Sequence, residues 1–274
     1  MVVIHVYYSQ NINCQLISII SSANSNLNAY IDYYDKPGWW FSLRYDTQVK
    51  LKTILHLFKN SNISLTNKVV CELGFGSGKT LFKFDKSSSL FGVEISESAI
   101  RKAAKKAAKK GYNKFSFSKL NDNGVLPLDD KTADIIIASH VIEHITDENG
   151  IVNEINRVLK DGGVATILIP INERYEDPKH VKKYTSASCK ELFQKHGFQL
   201  VFSLENELLA YLVESIYQKN KINQDESKIN YFFRIFFNVS TAWLPYRVYM
   251  MADTIIHYFT RLPPRQAGLI FKKV

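Results

Sequence analysis

The chain has 274 residues and a mass of 31.5 kDa, enough for one large domain with room for an insertion. At 46% hydrophobic and 22% charged it is neither disordered nor fibrous. The net charge of +9 raises nucleic acid and membranes as partners, but seven of those nine charges lie in residues 101–114, which contain no acid. The excess is one local segment, not a property of the whole protein. Cys14, Cys71 and Cys189 are widely spaced with no C-x-x-C pair. They suggest neither a disulfide framework nor a zinc site, and they fit a reducing compartment.

Residues 1–31 carry no Lys, Arg, Asp or Glu, yet Asn, Ser and Gln break every apolar run and no basic start precedes them. They are expected to be a polar leader rather than an export signal. An aromatic cluster at 33–40 follows, then a predicted helix over 47–59. Short apolar runs at 68–73, 90–95, 133–139 and 164–169 read as strands, and 97–110 and 150–159 between them read as helices. A further helix over 186–196 stops at Gly197 and leads into a strand over 198–203. Residues 206–263 are helical in pattern and rich in aromatics, and 268–273 reads as a last strand. The alternation predicts an α/β, Rossmann-like, doubly wound, mostly parallel seven-stranded sheet with a helical insertion before the last strand. The expected divisions are a leader and cap helices (1–60), a core (61–205), an insertion (206–263) and a final core strand (264–274).

The first strand runs into Glu72-Leu-Gly74-Phe-Gly76-Ser-Gly78-Lys79-Thr80. Glycines at a strand-to-helix turn let the backbone approach a ligand, because no Cβ intervenes. A P-loop ending in Gly78-Lys79-Thr80 needs its first glycine at position 73, where Leu73 stands, and no later strand ends in a magnesium-binding Asp. A dinucleotide G-x-G-x-x-G needs a small residue where Lys79 stands. The spacing E-x-G-x-G-x-G fits a third class, the S-adenosylmethionine loop.

Downstream motifs point the same way. Phe91-Gly-Val-Glu94-Ile95-Ser96 places an acid at the end of the second strand, and Asp122-Asn123-Gly-Val-Leu-Pro127 has a D-x-x-x-L-P spacing. Asp134–Ser139 and Arg157-Val-Leu-Lys-Asp-Gly-Gly163 complete the set. Residues 68–204 resemble the class I S-adenosylmethionine-dependent methyltransferases, most like the small-molecule group that includes ubiquinone and menaquinone enzymes. The resemblance implies S-adenosylmethionine as cofactor and S-adenosylhomocysteine as product. It implies cofactor binding by Glu72, Gly74, Gly76, Gly78, Glu94, Ile95, Asp122, Asn123 and Ser139, with Glu94 taking both ribose hydroxyls. Phe75 and Lys79 are bulkier than this loop usually carries and are expected to face outward.

His140-Val-Ile-Glu143-His144 is H-x-x-E-H, the spacing of an inverted zinc-peptidase helix. Such a site needs a third ligand on a later helix beside a nucleotide-type sheet, so no metal is expected. In the methyltransferase reading His140 borders the transferred methyl, His144 sits one turn on, and His180 faces the acceptor. An imidazole near pKa 6.5 suits removal of an acceptor proton, so His140, His180 and His144 are the candidate catalytic residues.

The insertion's aromatics at 228–260 are expected to form a packed lid, a groove for a lipid tail, or a face on a membrane, with Arg234 and Arg247 at headgroup level. The basic helix is expected to be a solvated face. The primary expectation is methylation of a small-molecule, lipid-linked or glycan-type acceptor in the cytoplasm, with at most peripheral membrane contact. An RNA or protein methyltransferase using residues 101–114 and a non-catalytic S-adenosylmethionine-binding scaffold are the alternatives. Nucleic acid is the lesser partner expectation.

Overall fold

A computed structural model describes residues 44–120, 124–173, 177, 179–206 and 228–274. The leader, Asp122, Asn123 and the start of the insertion lie outside the described residues.

Seven strands form one sheet: β1 (Val69–Leu73), β2 (Ser89–Glu94), β3 (Phe115–Lys119), β4 (Ala133–Ser139), β5 (Leu159–Pro170), β6 (Phe198–Asn206) and β7 (Gln266–Lys273). The helices are α1 (Tyr45–Asn60), α2 (Glu97–Lys110), α3 (Glu148–Val158), α4 (Ser186–Lys195), α5 (Lys228–Trp243) and α6 (Tyr246–Thr260). The strand order is β3-β2-β1-β4-β5-β7-β6, and only β7 runs antiparallel to its neighbours. This is the expected doubly wound, mostly parallel sheet.

Strand β4 shows why both faces are covered. Ile135 and Ile137 pack with Ile54, Leu57 and Phe58 of α1 on one face, while Ile136 and Ala138 pack with Ile151, Val152 and Phe193 on the other. Successive side chains point to opposite sides, so a run apolar at every position is buried twice. Helix α2 starts on Ser96, whose hydroxyl accepts the Ala99 N–H at 3.2 Å, and stops at Gly111 with φ +78°. It buries Ala99, Ala103 and Ala107, four residues apart on one face.

The R-x-L-K-x-G-G segment is a clamp. Arg157 bonds Glu154 at 2.7 Å, Asp130 at 2.6 Å and the Leu126 carbonyl at 3.3 Å, while Glu154 accepts the Leu126 N–H at 2.9 Å. Lys160 pairs with Asp134 at 2.8 Å, and Asp134 accepts the Val69 N–H at 2.8 Å. The segment thus ties the L-P loop and strand β1 to the start of β5, whose pairing begins at Leu159, earlier than the predicted 164. Helix α1 likewise begins at Tyr45, two residues ahead of the predicted start.

Candidate active site

The sheet order reverses between β1 and β4, and open α/β sheets bind ligands at the carboxyl ends beside such a reversal. Leu73 and Ala138 are register partners there, so the glycine loop and Ser139-His140 leave the sheet side by side. Gly74, Gly76 and Gly78 have φ of +63°, +52° and +66°, a region other residues enter at a cost of about 1–2 kcal/mol. A Cβ on Gly74 would lie 2.5 Å from Val141 Cγ2, so the loop after β4 rests directly on the glycine loop. Phe75 faces inward, not outward as expected. It is buried, its ring occupies the space over Gly92 and packs on Phe117 at 5.1 Å. Lys79 is half-buried beside Lys106, and burial draws its ammonium down to about 8. Lys106 leaves the solvated row of α2 to lie over Phe82 at 4.6 Å.

Glu94 is buried at the end of β2. Its carboxylate accepts the N–H groups of Gly76 at 2.8 Å, Ile95 at 2.8 Å and Ser96 at 3.2 Å. A carboxylate has about four acceptor positions, so one remains here. Glu94 therefore locks the glycine loop to the end of β2 and keeps one acceptor position beyond these bonds.

Two acceptors at this edge are orphaned. Glu72 is 4% exposed, its Oε2 has no hydrogen-bond partner, and burial pushes its carboxyl up to about 8. The Ser139 hydroxyl is also buried without a partner. Unpaired buried polar atoms cost about 1–3 kcal/mol each, and here they mark a place for a ligand rich in donors. The ammonium and ribose hydroxyls of S-adenosylmethionine supply such donors, so the residues fit the cofactor. Asp122 and Asn123 lie outside the described residues.

The three histidines are drawn to one corner, but not on a zinc-peptidase helix. Ile142–His144 is a single tight turn, and His140 sits ahead of it with φ +55°. His140 Nε2 lies 2.9 Å from Gln266 Oε1, whose amide donates to Asn206 Oδ1 at 3.1 Å. That orientation makes Nε2 the protonated nitrogen and leaves Nδ1 facing Glu143 at 3.6 Å. Burial, with Lys50 adding positive potential, holds the His140 imidazolium well below its ordinary range. His144 packs edge-on against His180 with centroids 4.9 Å apart, and burial lowers its pKa too. The polar chain continues outward, because Asn206 also donates to Thr53 of α1 and Tyr246 of α6, both at 3.0 Å. Gln266 and Asn206 carry no local motif. Only the antiparallel pairing of β6 with β7, which makes them register partners, brings them together.

The comparisons with known proteins agree with this geometry. Residues 64–231 match the family model described as a methyltransferase domain. A Mycolicibacterium smegmatis (strain ATCC 700084 / mc(2)155) relative named for S-adenosylmethionine-dependent methyl transfer is 32% identical over 82 residues, 27% of this chain and 32% of that protein. The chain thus matches about a third of that relative's length. YrhH of Bacillus subtilis (strain 168), named as a methyltransferase, is 27% identical over 164 residues, covering 58% of this chain and 88% of YrhH. An S-adenosylmethionine-dependent methyltransferase structure from Aquifex aeolicus superposes with a TM-score of 0.51 at 19% identity, over 65% of this chain and 91% of the other. The sheet order and the glycine edge define a nucleotide-type α/β protein. The chain belongs to the methyltransferase-domain family and is built as a class I S-adenosylmethionine-dependent methyltransferase.

Proposed function

We propose that this protein transfers the methyl group of S-adenosylmethionine to an acceptor carried on a lipid, working at an anionic membrane surface on which α5 and α6 lie. The observation that carries this reading is the outer face of those helices. Phe232, Phe236, Trp243, Met251, Tyr258 and Phe259 are all exposed, Trp243 at 83% and Phe259 at 78%. A lid packed on the core would bury these rings. Large apolar side chains exposed along both helices mark a binding surface.

The inner face is fixed to the core. Asn238 accepts the Tyr45 N–H at 2.7 Å, the hydroxyls of Tyr45 and Tyr249 meet at 2.8 Å, and Tyr249 is buried. Charge supports an anionic surface as partner. The only acid in 228–261 is Asp253, which is buried, while Arg247 and Arg261 are exposed. Among the described residues no helix is long and apolar enough to cross a membrane, so contact through these helices is from one side.

The cofactor brings a methyl group on a positive sulfur, activated for in-line displacement. The protein's part is alignment and exclusion of water. Glu72, Ser139 and the glycine loop hold one partner, and the insertion presents the other. For a hydroxyl acceptor, His144 and His180 are the candidate proton acceptors, whereas the free nitrogen of His140 faces Glu143.

Sedimentation with phosphatidylglycerol–phosphatidylcholine vesicles, with Trp fluorescence as a second readout, tests the surface. Binding with a blue shift, lost in Phe236→Ser/Trp243→Ser/Phe259→Ser, is expected. A protein that stays in the supernatant, or that uses this face to dimerise by sedimentation velocity, contradicts it. Transfer of labelled methyl from S-adenosylmethionine into a membrane lipid extract tests the acceptor class. Cofactor binding with no transfer to lipid, protein or RNA would leave the scaffold reading.

A further inference from the structure

We propose that Glu143, His144 and His180 form a binding site for a divalent transition-metal ion of the zinc type, against the glycine loop. One ligand atom from each of the three lies within 4.8 Å of the others. Ligands held about 2.0–2.2 Å from one ion in a tetrahedron stand roughly 3.4 Å apart, so closure takes side-chain movements on the order of 1 Å. Two imidazoles and a carboxylate are the donor set that catalytic zinc sites use with a fourth position open.

Glu143 argues most strongly. Its side chain is 0% exposed, and neither carboxyl oxygen has a hydrogen-bond partner. A buried carboxyl group with nothing to bond is costly whether charged or neutral. A cation between it and the imidazoles removes that cost.

The imidazoles are also oriented as ligands are. His144 Nδ1 lies 2.9 Å from the Lys179 carbonyl and so carries the proton, leaving the Nε2 lone pair free. His180 Nδ1 lies 2.6 Å from Glu173 Oε1, off the line of a good hydrogen bond. Metal-binding histidines commonly hand their second nitrogen to a carbonyl or carboxylate; His144 does so, and Glu173 stands beside the second nitrogen of His180. The two ligand-bearing segments are tied before any ion arrives. The Glu143 carbonyl accepts the N–H groups of Val181 at 2.8 Å and Lys182 at 3.3 Å.

The sequence suggested no metal because H-x-x-E-H was weighed as one helix face. The turn breaks that face and substitutes His180 for His140. Val141, on the same turn, rests on Gly74, so an ion here borders the methyl-transfer edge. Its open position suits an acceptor oxygen, and that role rests on the methyltransferase reading, whereas binding of the ion does not.

The full chain, stripped with EDTA and dialysed, is titrated with Zn2+ against a chromophoric chelator at pH 7.5, and with Co2+ by visible absorption. One ion per chain is expected, with affinity at least tenfold weaker in Glu143→Gln, His144→Ala and His180→Ala. The cobalt bands should be lost in His180→Ala, whose side chain, 11% exposed, belongs to none of the apolar core clusters. S-adenosylmethionine binding is measured calorimetrically on the same samples. Wild-type protein that binds the cofactor but no metal overturns this proposal and leaves the methyltransferase reading intact. Cobalt bands unchanged in His180→Ala also overturn it. Metal binding without cofactor binding overturns the methyltransferase reading alone.

Discussion

Cofactor binding should release a proton from Glu72. Burial places that carboxyl at about 8, against 4.5 for an ordinary glutamic acid, so the free protein at pH 7 holds it mostly protonated. An ammonium placed against the orphaned Oε2 requires the carboxylate. Ionising the group at pH 7 therefore costs about one pH unit, roughly 1.4 kcal/mol, or a factor of ten in affinity. The cofactor's own ammonium stays charged below an α-amino pKa of about 7.7, so the clean window is pH 5.5–7. Across it, affinity for S-adenosylmethionine should rise about tenfold per unit. Calorimetry in buffers of differing ionisation enthalpy should show close to one proton released. Glu72→Gln should bind more weakly and lose the pH slope. A flat affinity between pH 6 and 7, with heats independent of buffer, would refute the assignment of Glu72 to the ammonium.

Three further outcomes follow from the same geometry. Gly74→Ala combines a left-handed backbone with a Cβ 2.5 Å from Val141. It should cost about 2 kcal/mol in denaturant titration and weaken cofactor binding more than the same change at Gly124, which meets nothing within 4 Å. Arg157→Ala removes bonds to Glu154, Asp130 and Leu126 and should cost about 2 kcal/mol, since Asp130 is solvent-screened. Stability without cofactor or metal should fall as pH rises from 6.5 to 8. Glu72 and Glu143, raised to about 8 and about 7, keep protons that the unfolded chain has already released, so their contribution is lost as pH climbs through those values. His140 and His144 have lowered pKa values, so their contribution is lost on acidification; unfolded imidazoles are still half protonated at pH 6.5, so these two offset the loss by about 0.8 kcal/mol up to pH 8. The net loss over this range is on the order of 1.5 kcal/mol; urea midpoints that stay level over it would contradict it.

The sheet was legible because its strands are buried on both faces, and such strands read as unbroken apolar runs. Strand β3 was not located, since Phe115-Ser-Phe-Ser-Lys119 alternates at an exposed edge and is short. The glycine loop, Glu94 and Ser139 were readable because a strand end fixes their place within a residue. The direction of Phe75 was not, because it depends on Gly92 leaving space in the next strand. Long-range partners were invisible for the same reason. His140 meets Gln266, and Asn206 meets Thr53, across 126 and 153 residues. The H-x-x-E-H spacing was weighed as one helix face, whereas the chain makes a single tight turn there. The clustering of aromatics in 228–260 was plain, but which of them faces outward needed α1 in place.

Cofactor binding at the glycine edge is tested most directly by calorimetric titration of S-adenosylmethionine into the full chain and into Glu94→Ala. Glu94 joins the end of β2 to the glycine loop and keeps one further acceptor position. One cofactor bound per wild-type chain and a loss of at least tenfold in affinity in the variant are expected. Wild-type protein that binds no cofactor, or a variant that binds as tightly as wild type, would contradict cofactor binding at this edge.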